Sequence, residues 1–354
     1  MEVDPQAILT GLGRARRFAD PTAPLEARLM AARGALPLPP AEVALVVFAL
    51  TFDPEAEVKE RALETLRTLP DPIVDALVGE ALHPGLLALL AEIHREHAGR
   101  LERIALNPAT SDETLCFLAT LPHPNVVDAI SHNQARLVAC DALLESLGEN
   151  PLTGAATIER ILEFLGRERG EIPAAPVSET AAEDPAADPE SEAAAALPEV
   201  LLTESEPPLH ESERDERSRN LQSLIAEMSV VEKVKLARLG NAEARGLLVR
   251  DRNRIVATAA IRSPKLSENE VTHYAKSRNV SDDVLRILAH SREWTRSYPV
   301  KLALCTNPKT PIPAAIKFIN YLTDRDLKAI MKSRDVPGPV SQQARRILMR
   351  KGKI

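Results

Sequence analysis

The residues best placed to do chemistry begin with His94-Arg95-Glu96-His97. A helical zinc site of the metalloprotease kind needs two histidines four residues apart, so that both imidazoles face one ion. Here they stand three apart with no third ligand evident, and an ordinary polar helix face is the expectation. The His-x-Glu pairing of zinc deaminases fails as well, because no Cys-x-x-Cys accompanies it. Thr10-Gly11-Leu12-Gly13-Arg14 suggests a phosphate loop but lacks the Gly-Lys-Ser/Thr ending and a preceding strand, and reads as a helix interruption. Cys116, Cys140 and Cys305 are odd in number and far apart in sequence. That argues against a disulfide framework or zinc site, and for idle thiols in a reducing cytoplasm. Asp282-Asp283 and the pair Asp324 and Asp326 fall at expected helix starts, where free amides favour negative charge without catalysis. Glu293, beside Trp294, is the one carboxylate with neighbours suited to a base-excision glycosylase, and nothing else assembles around it. No catalytic residue, metal, cofactor or small-molecule substrate is assigned, and the chain is not expected to be an enzyme.

The cations say more. Residues 221–354 hold 26 Lys and Arg against 12 Asp and Glu, a balance of +14, although the whole chain sums to −7. So strong an asymmetry points to an electrostatic partner for the basic part. Its cations sit beside turn residues: Arg262 by Ser263, Lys276 and Arg278 around Ser277, Arg292 after Ser291, Lys309 after Asn307, Lys332 and Arg334 around Ser333. In stacked repeats equivalent positions line up, so these seven are expected to form a positive ridge along one or both edges. Such a ridge suits acidic protein surfaces or phosphate backbones. Trp294 and Tyr298, next to Arg292 and Arg296, could stack on exposed bases. A core position is the expectation for the single Trp.

The elements that must carry these residues read as helices. Hydrophobic residues make up 44% of the chain but aromatics only 3%, so the core must be filled by Leu, Ala, Val and Ile, as in stacked small helices. In EAEVKERALETLRTL, Val58, Ala62, Leu63, Leu66 and Leu69 share one face with charge opposite. Asp53-Pro54, Asp71-Pro72 and His83-Pro84 place proline where helices begin, the first two after an Asp able to cap free amides. Nine or ten short helices are expected between residues 1 and 168. Beyond, Leu221, Leu224, Ile225, Met228 and Val231 open another amphipathic helix, and Ser267-Glu268-Asn269-Glu270 has the form of a capping box.

Between the helical parts, residues 171–217 hold 14 acidic residues, two arginines and seven prolines, with no aromatic. Such a stretch buries too little apolar surface to offset the entropy of ordering, and is expected to be a disordered acidic linker. Val200-Leu201-Leu202 is its apolar exception, read as a tolerated cluster rather than a docking strip.

The most specific signal is internal repetition. Asn107-Pro108-Ala109-Thr110 matches Asn307-Pro308-Lys309-Thr310, and Leu118, Val127, Ala129 and Ile130 match Phe318, Leu327, Ala329 and Ile330 at the same offsets. One helix pair cannot hide its apolar face alone, whereas stacked neighbours can. The stretch LERIALNPATSDETLCFLATLPHPNVVDAISHNQ resembles the leucine-rich variant repeat, as does KLALCTNPKTPIPAAIKFINYLTDRDLKAIMKSRDVP. The region around DPEAEVKERALETLRTL resembles a HEAT-type helix, and residues 221–354 an uncharacterised bacterial domain. Some leucine-rich variant proteins carry a cysteine cluster for an iron–sulfur centre; this chain has none, and the resemblance brings no cofactor.

The expected fold is all-α, with an acidic helical-repeat domain over 1–170, the linker 171–217 and a basic helical-repeat domain over 218–354. No apolar run is long enough to cross a bilayer, and the N-terminus has no secretory signal pattern. The expected function is that of a cytoplasmic scaffold or adaptor for protein partners. The alternative is nucleic-acid binding through residues 218–354.

Overall fold

In the computed structural model, residues 5–167, 197–202 and 211–353 are described. Among them the fold is all-α, with no strand. The chain divides into two compact units, Met1–Gly154 and Ala155–Ile354. Most of the expected linker lies outside the described residues.

The first unit comprises α1 (Pro5–Gly11), a 3-10 turn (Gly13–Phe18), α2 (Leu25–Ala32), α3 (Pro40–Leu50), α4 (Ala56–Arg67), α5 (Asp71–Leu77), α6 (Pro84–Ile93), α7 (Ala98–Leu106), α8 (Asp112–Thr120), α9 (Pro124–Ser131), α10 (Gln134–Ala139) and α11 (Asp141–Glu149). With α12 (Ala155–Arg167), that exceeds the nine or ten expected, because pieces as short as α10, six residues, escape a periodicity argument. Neighbouring helices pack as α2 on α4, α6 on α8, α7 on α9 and α8 on α11. The face predicted for α4 is borne out at its centre, where Val58, Ala62 and Leu66 are fully buried. Gly11 and Gly13 do interrupt a helix: Gly13 takes φ 54°, the left-handed region open to glycine.

Two of the expected caps are corrected. Asp53 caps nothing; it is buried in an ion pair with Arg28 and accepts from the Glu55 N–H. Asp71 is itself the first residue of α5 and pairs with Arg100. His83 caps α6, accepting from the Gly85 N–H at 3.1 Å.

The second unit comprises α12, α13 (Glu199–Leu202), α14 (Glu211–Ala226), α15 (Val230–Leu239), α16 (Ala242–Leu248), α17 (Arg254–Ile261), α18 (Glu268–Lys276), α19 (Asp282–His290), a 3-10 turn (Trp294–Arg296), α20 (Tyr298–Thr306), α21 (Ile312–Ile319), α22 (Asp324–Lys332) and α23 (Gly338–Arg350). Short connections make successive helices antiparallel. One row stacks α15, α17 and α19, with α12 on α17; the other holds α18 against α20. The capping box at Ser267 is present, and Ser229 with Glu232 makes a second. Leu201 is fully buried, and its carbonyl accepts from the Asn241 N–H at 2.8 Å. The triplet is therefore anchored through Leu201 and not merely tolerated, while Val200 is 57% exposed.

The repeating tetrapeptide has a physical job. Proline disfavours the helical region for the residue before it, so Asn107, Asn150 and Asn307 are extended, with ψ near 120° (124°, 119° and 122°), and each ends a helix. Each side chain then reaches back one repeat. Asn107 Nδ2 donates to Val78 O and Glu80 O, Asn150 Nδ2 to Ala119 O and Leu121 O, and Asn307 Nδ2 to Ala275 O and Ser277 O. The threonine closes the same turn: Thr110 and Thr153 hydroxyls each donate to a backbone carbonyl six residues earlier at 2.6 Å. Thr310 is buried in the same place but makes no such bond. Asn150-Pro151-Leu152-Thr153 thus joins the two copies recognised in the sequence.

Candidate functional site

The basic positions are set by where helices end. α18 ends at Ser277, α20 at Asn307 and α22 at Ser333. Direct bonds hold these turns together. Asn307 ties its turn to Ser277, Lys309 Nζ donates to Val280 O at 3.3 Å, and Arg278 pairs with Asp335 at 2.9 Å. Lys276, Arg278, Lys309, Lys332 and Arg334 therefore share one edge, and all five are exposed.

Arg262 and Arg292 do not join them. They follow α17 and α19, in the alternate row, whose C-terminal ends point the other way. The seven cations fall into two groups, five and two, on opposite edges.

Arg262 is ion-paired with Glu159 of α12. That pair opens onto a cleft of about 590 Å³ lined also by Arg286, His290, Glu293 and Trp294. Trp294 is half-buried in the 3-10 turn, which corrects its expected core position. Glu293 is exposed at this cleft, which Arg262, Arg286 and Trp294 also line, and the second carboxylate there, Glu159, is the one paired with Arg262. Tyr298 is half-buried and tethered through its hydroxyl. Its hydroxyl donates to Asp326 and accepts from the Thr323 N–H at 3.0 Å, which holds the Asp326 carboxyl below the usual range. Asp282, Asp283, Asp324 and Asp326 all stand in first turns, as expected.

Five of the seven cations, Lys276, Arg292, Lys309, Lys332 and Arg334, make no ion pair among the described residues, Lys309 bonding instead to a backbone carbonyl. On the five-cation edge, Asp335, which follows Arg334 in the chain, is paired with Arg278. The edge therefore alternates charge locally while remaining positive in sum.

No family model, curated protein or solved structure matches this chain. Its likeness to leucine-rich variant and HEAT-type repeats rests on the sequence motifs quoted above.

The remaining sequence candidates have structural employment. His94 is buried; Arg100 donates to its Nδ1 at 3.2 Å, and Arg100 in turn pairs with Asp71 at 2.5 Å and Asp75 at 3.0 Å. His97 is exposed, its ring 5.8 Å from that of His94. Among the described residues no three His, Cys, Asp or Glu side chains gather as metal ligands. Cys116 of α8 and Cys140 at the α10–α11 junction, remote in sequence, are neighbours in space. Burial and that neighbour push Cys116 up to about 11. A thiol so raised is a poor nucleophile at neutral pH.

Sequence reasoning missed the most buried ion pair among the described residues of the second unit. Arg245 meets Glu270 through two bonds, at 2.9 Å and 3.1 Å, and its side chain is 3% exposed. Burial opposes the Glu270 charge, but Arg245 and Ser267 more than offset it and hold the carboxyl below its ordinary value. The two residues lie 25 apart, one repeat, and only stacking brings them together. Among the described residues no helix is long and apolar enough to cross a membrane.

Proposed function

We propose that this chain is a non-enzymatic cytoplasmic adaptor of helical-repeat type, whose second unit binds an acidic protein surface along the edge carrying Lys276, Arg278, Lys309, Lys332 and Arg334. The observation that supports it is the shared placement of these five exposed cations on successive turns of one edge. Local alternation favours protein over nucleic acid. A phosphate track is uniformly negative and best met by uninterrupted cations, whereas Asp335 within this edge would repel it. Protein partners present mixed charge, which such an edge complements and which sets specificity and encounter rate.

Nucleic acid remains the second reading, supported by the half-buried Trp294 beside Arg262 and Arg286. Both are tested by fluorescence anisotropy of the full chain against labelled poly-glutamate and labelled oligothymidylate, at low and physiological salt. The adaptor reading expects poly-glutamate binding that Lys276→Glu, Lys332→Glu and Arg334→Glu together reduce by about tenfold or more. Unchanged binding in that triple variant removes it. Oligothymidylate binding that survives physiological salt, and falls with Trp294→Ala, moves nucleic acid ahead.

A further inference from the structure

We infer that an apolar groove on the first unit is the docking site for a basic amphipathic helix of a partner protein. The inference goes beyond the adaptor reading of the second unit and stands on different residues.

The chain has only six phenylalanines. Three of them, Phe48, Phe52 and Phe117, converge with Leu63 and Leu89 on a groove of about 470 Å³ carried by α3, α4, α6 and α8 and the turn after α3. Phe48 is the floor, 2% exposed, and meets Phe52 edge to face with ring centroids 5.5 Å apart. Gly85 makes room for that floor, since a Cβ there would stand 2.9 Å from the Phe48 ring. Phe52 remains 37% exposed, and Phe117, Leu63 and Leu89 are half-buried. A scattered apolar side chain on a surface needs no account, but a contiguous aromatic groove in so ring-poor a chain does.

Charge selects the occupant. The two charged residues that line the groove are carboxylates, Glu92 and Glu113, and no Lys or Arg does. The unit around it, residues 1–154, holds 12 Lys and Arg against 22 Asp and Glu, a net of −10. A helix that lays apolar anchors at i, i+3, i+4 and i+7 into the groove, with Lys or Arg on its flanks, satisfies both the apolar floor and the acidic rim. An anionic lipid surface meets like charge here. So does a second copy of the same unit, which would set acidic rim against acidic rim.

The test uses the full chain and a fluorescein-labelled peptide of Leu and Lys, about 18 residues long, with Leu on one helical face. A peptide of the same composition in scrambled order controls for charge alone. The ordered peptide is expected to bind at least about tenfold more tightly than the scrambled one. Phe52→Ser should abolish that margin, and Glu92→Lys with Glu113→Lys should weaken the ordered peptide by a comparable factor. Leu89→Trp, which fills the groove from its wall without opening a hole, should also abolish the margin, with the thermal midpoint checked for each variant. Equal affinity for the two peptides, or a margin that survives both Phe52→Ser and Leu89→Trp, overturns the inference. A dimer seen by light scattering that Phe52→Ser dissolves would assign the groove to a second copy and overturn it too.

Discussion

Asn107→Ala isolates what one asparagine clasp is worth. In the folded chain Asn107 Nδ2 donates to Val78 O at 3.0 Å and to Glu80 O at 2.6 Å, and Oδ1 accepts from the Ala109 N–H at 3.0 Å. The residue is 6% exposed, so water cannot easily replace what is lost. Alanine removes all three bonds and strands the Val78 carbonyl and the Ala109 amide, while Glu80 O keeps the Leu82 N–H at 2.9 Å. A net bond is worth about 1 kcal/mol, and a buried group left unmet costs about 1–3 kcal/mol. With the turn's amide and one carbonyl relaxing toward solvent, the loss comes to about 3 kcal/mol. That moves a urea midpoint down by roughly 1.5 M at an ordinary slope, and a thermal midpoint by roughly 6–12 °C. Asn107→Asp keeps the shape but turns a carboxylate on two carbonyls, so it should cost more than alanine at neutral pH. Urea unfolding of the full chain followed by far-UV circular dichroism reads both. A loss under about 0.5 kcal/mol for alanine, the range of inert surface changes, or an aspartate tolerated as well as asparagine, refutes the clasp as a stabilising device.

Two further outcomes follow from buried charge. Asp53→Ala leaves the Arg28 guanidinium, on a side chain 8% exposed, without its counter-ion. The expected loss is about 3–5 kcal/mol by the same unfolding assay, and a loss below about 1 kcal/mol contradicts it. Burial first, and then the Arg100 guanidinium, hold the His94 imidazole below its ordinary value. The unfolded chain therefore takes up this proton more readily than the folded one. Stability from neutral His94 is fully present above a pH of about 6.5 and falls as pH drops from there through the folded value. His94→Gln should flatten that part of the stability–pH curve, and an unchanged slope would show that His94 does not titrate there.

What was legible in the sequence was local. Helix periodicity, proline at helix starts and the Asn-Pro-x-Thr turn depend on neighbours within a few residues, and these told the fold class. What was hidden depends on partners a repeat away. Arg245 and Glu270 carry no mutual signal, and Cys116 with Cys140 looked unrelated because only α8 packing against α11 joins them. Val200-Leu201-Leu202 is too short to show periodicity, and its partner Asn241 lies 41 residues from Val200. The third clasp, at Asn150, was in plain view as the same tetrapeptide. Which edge each cation takes follows from antiparallel neighbours sending alternate turns to opposite edges, a parity that residue type alone does not carry. The acidic rim and rings of the Phe52 groove come from four helices and the turn after α3, so no single stretch announced them.

The clasps also decide how a unit yields to tension. Each latches a turn to one 27 to 32 residues earlier, never to the far end of the unit. Most side-chain bonds that leave their own helix span a similar distance, such as 25 for Arg245 to Glu270 and 29 for Arg254 to Asp283. Load applied at one end therefore reaches the latches in sequence, since each repeat grips only its neighbours. Every released latch frees a contour of roughly 100 Å, at about 3.4 Å per extended residue. A chain wired in this way should lengthen by near-equal steps under pull and re-engage one latch at a time when the pull is relaxed.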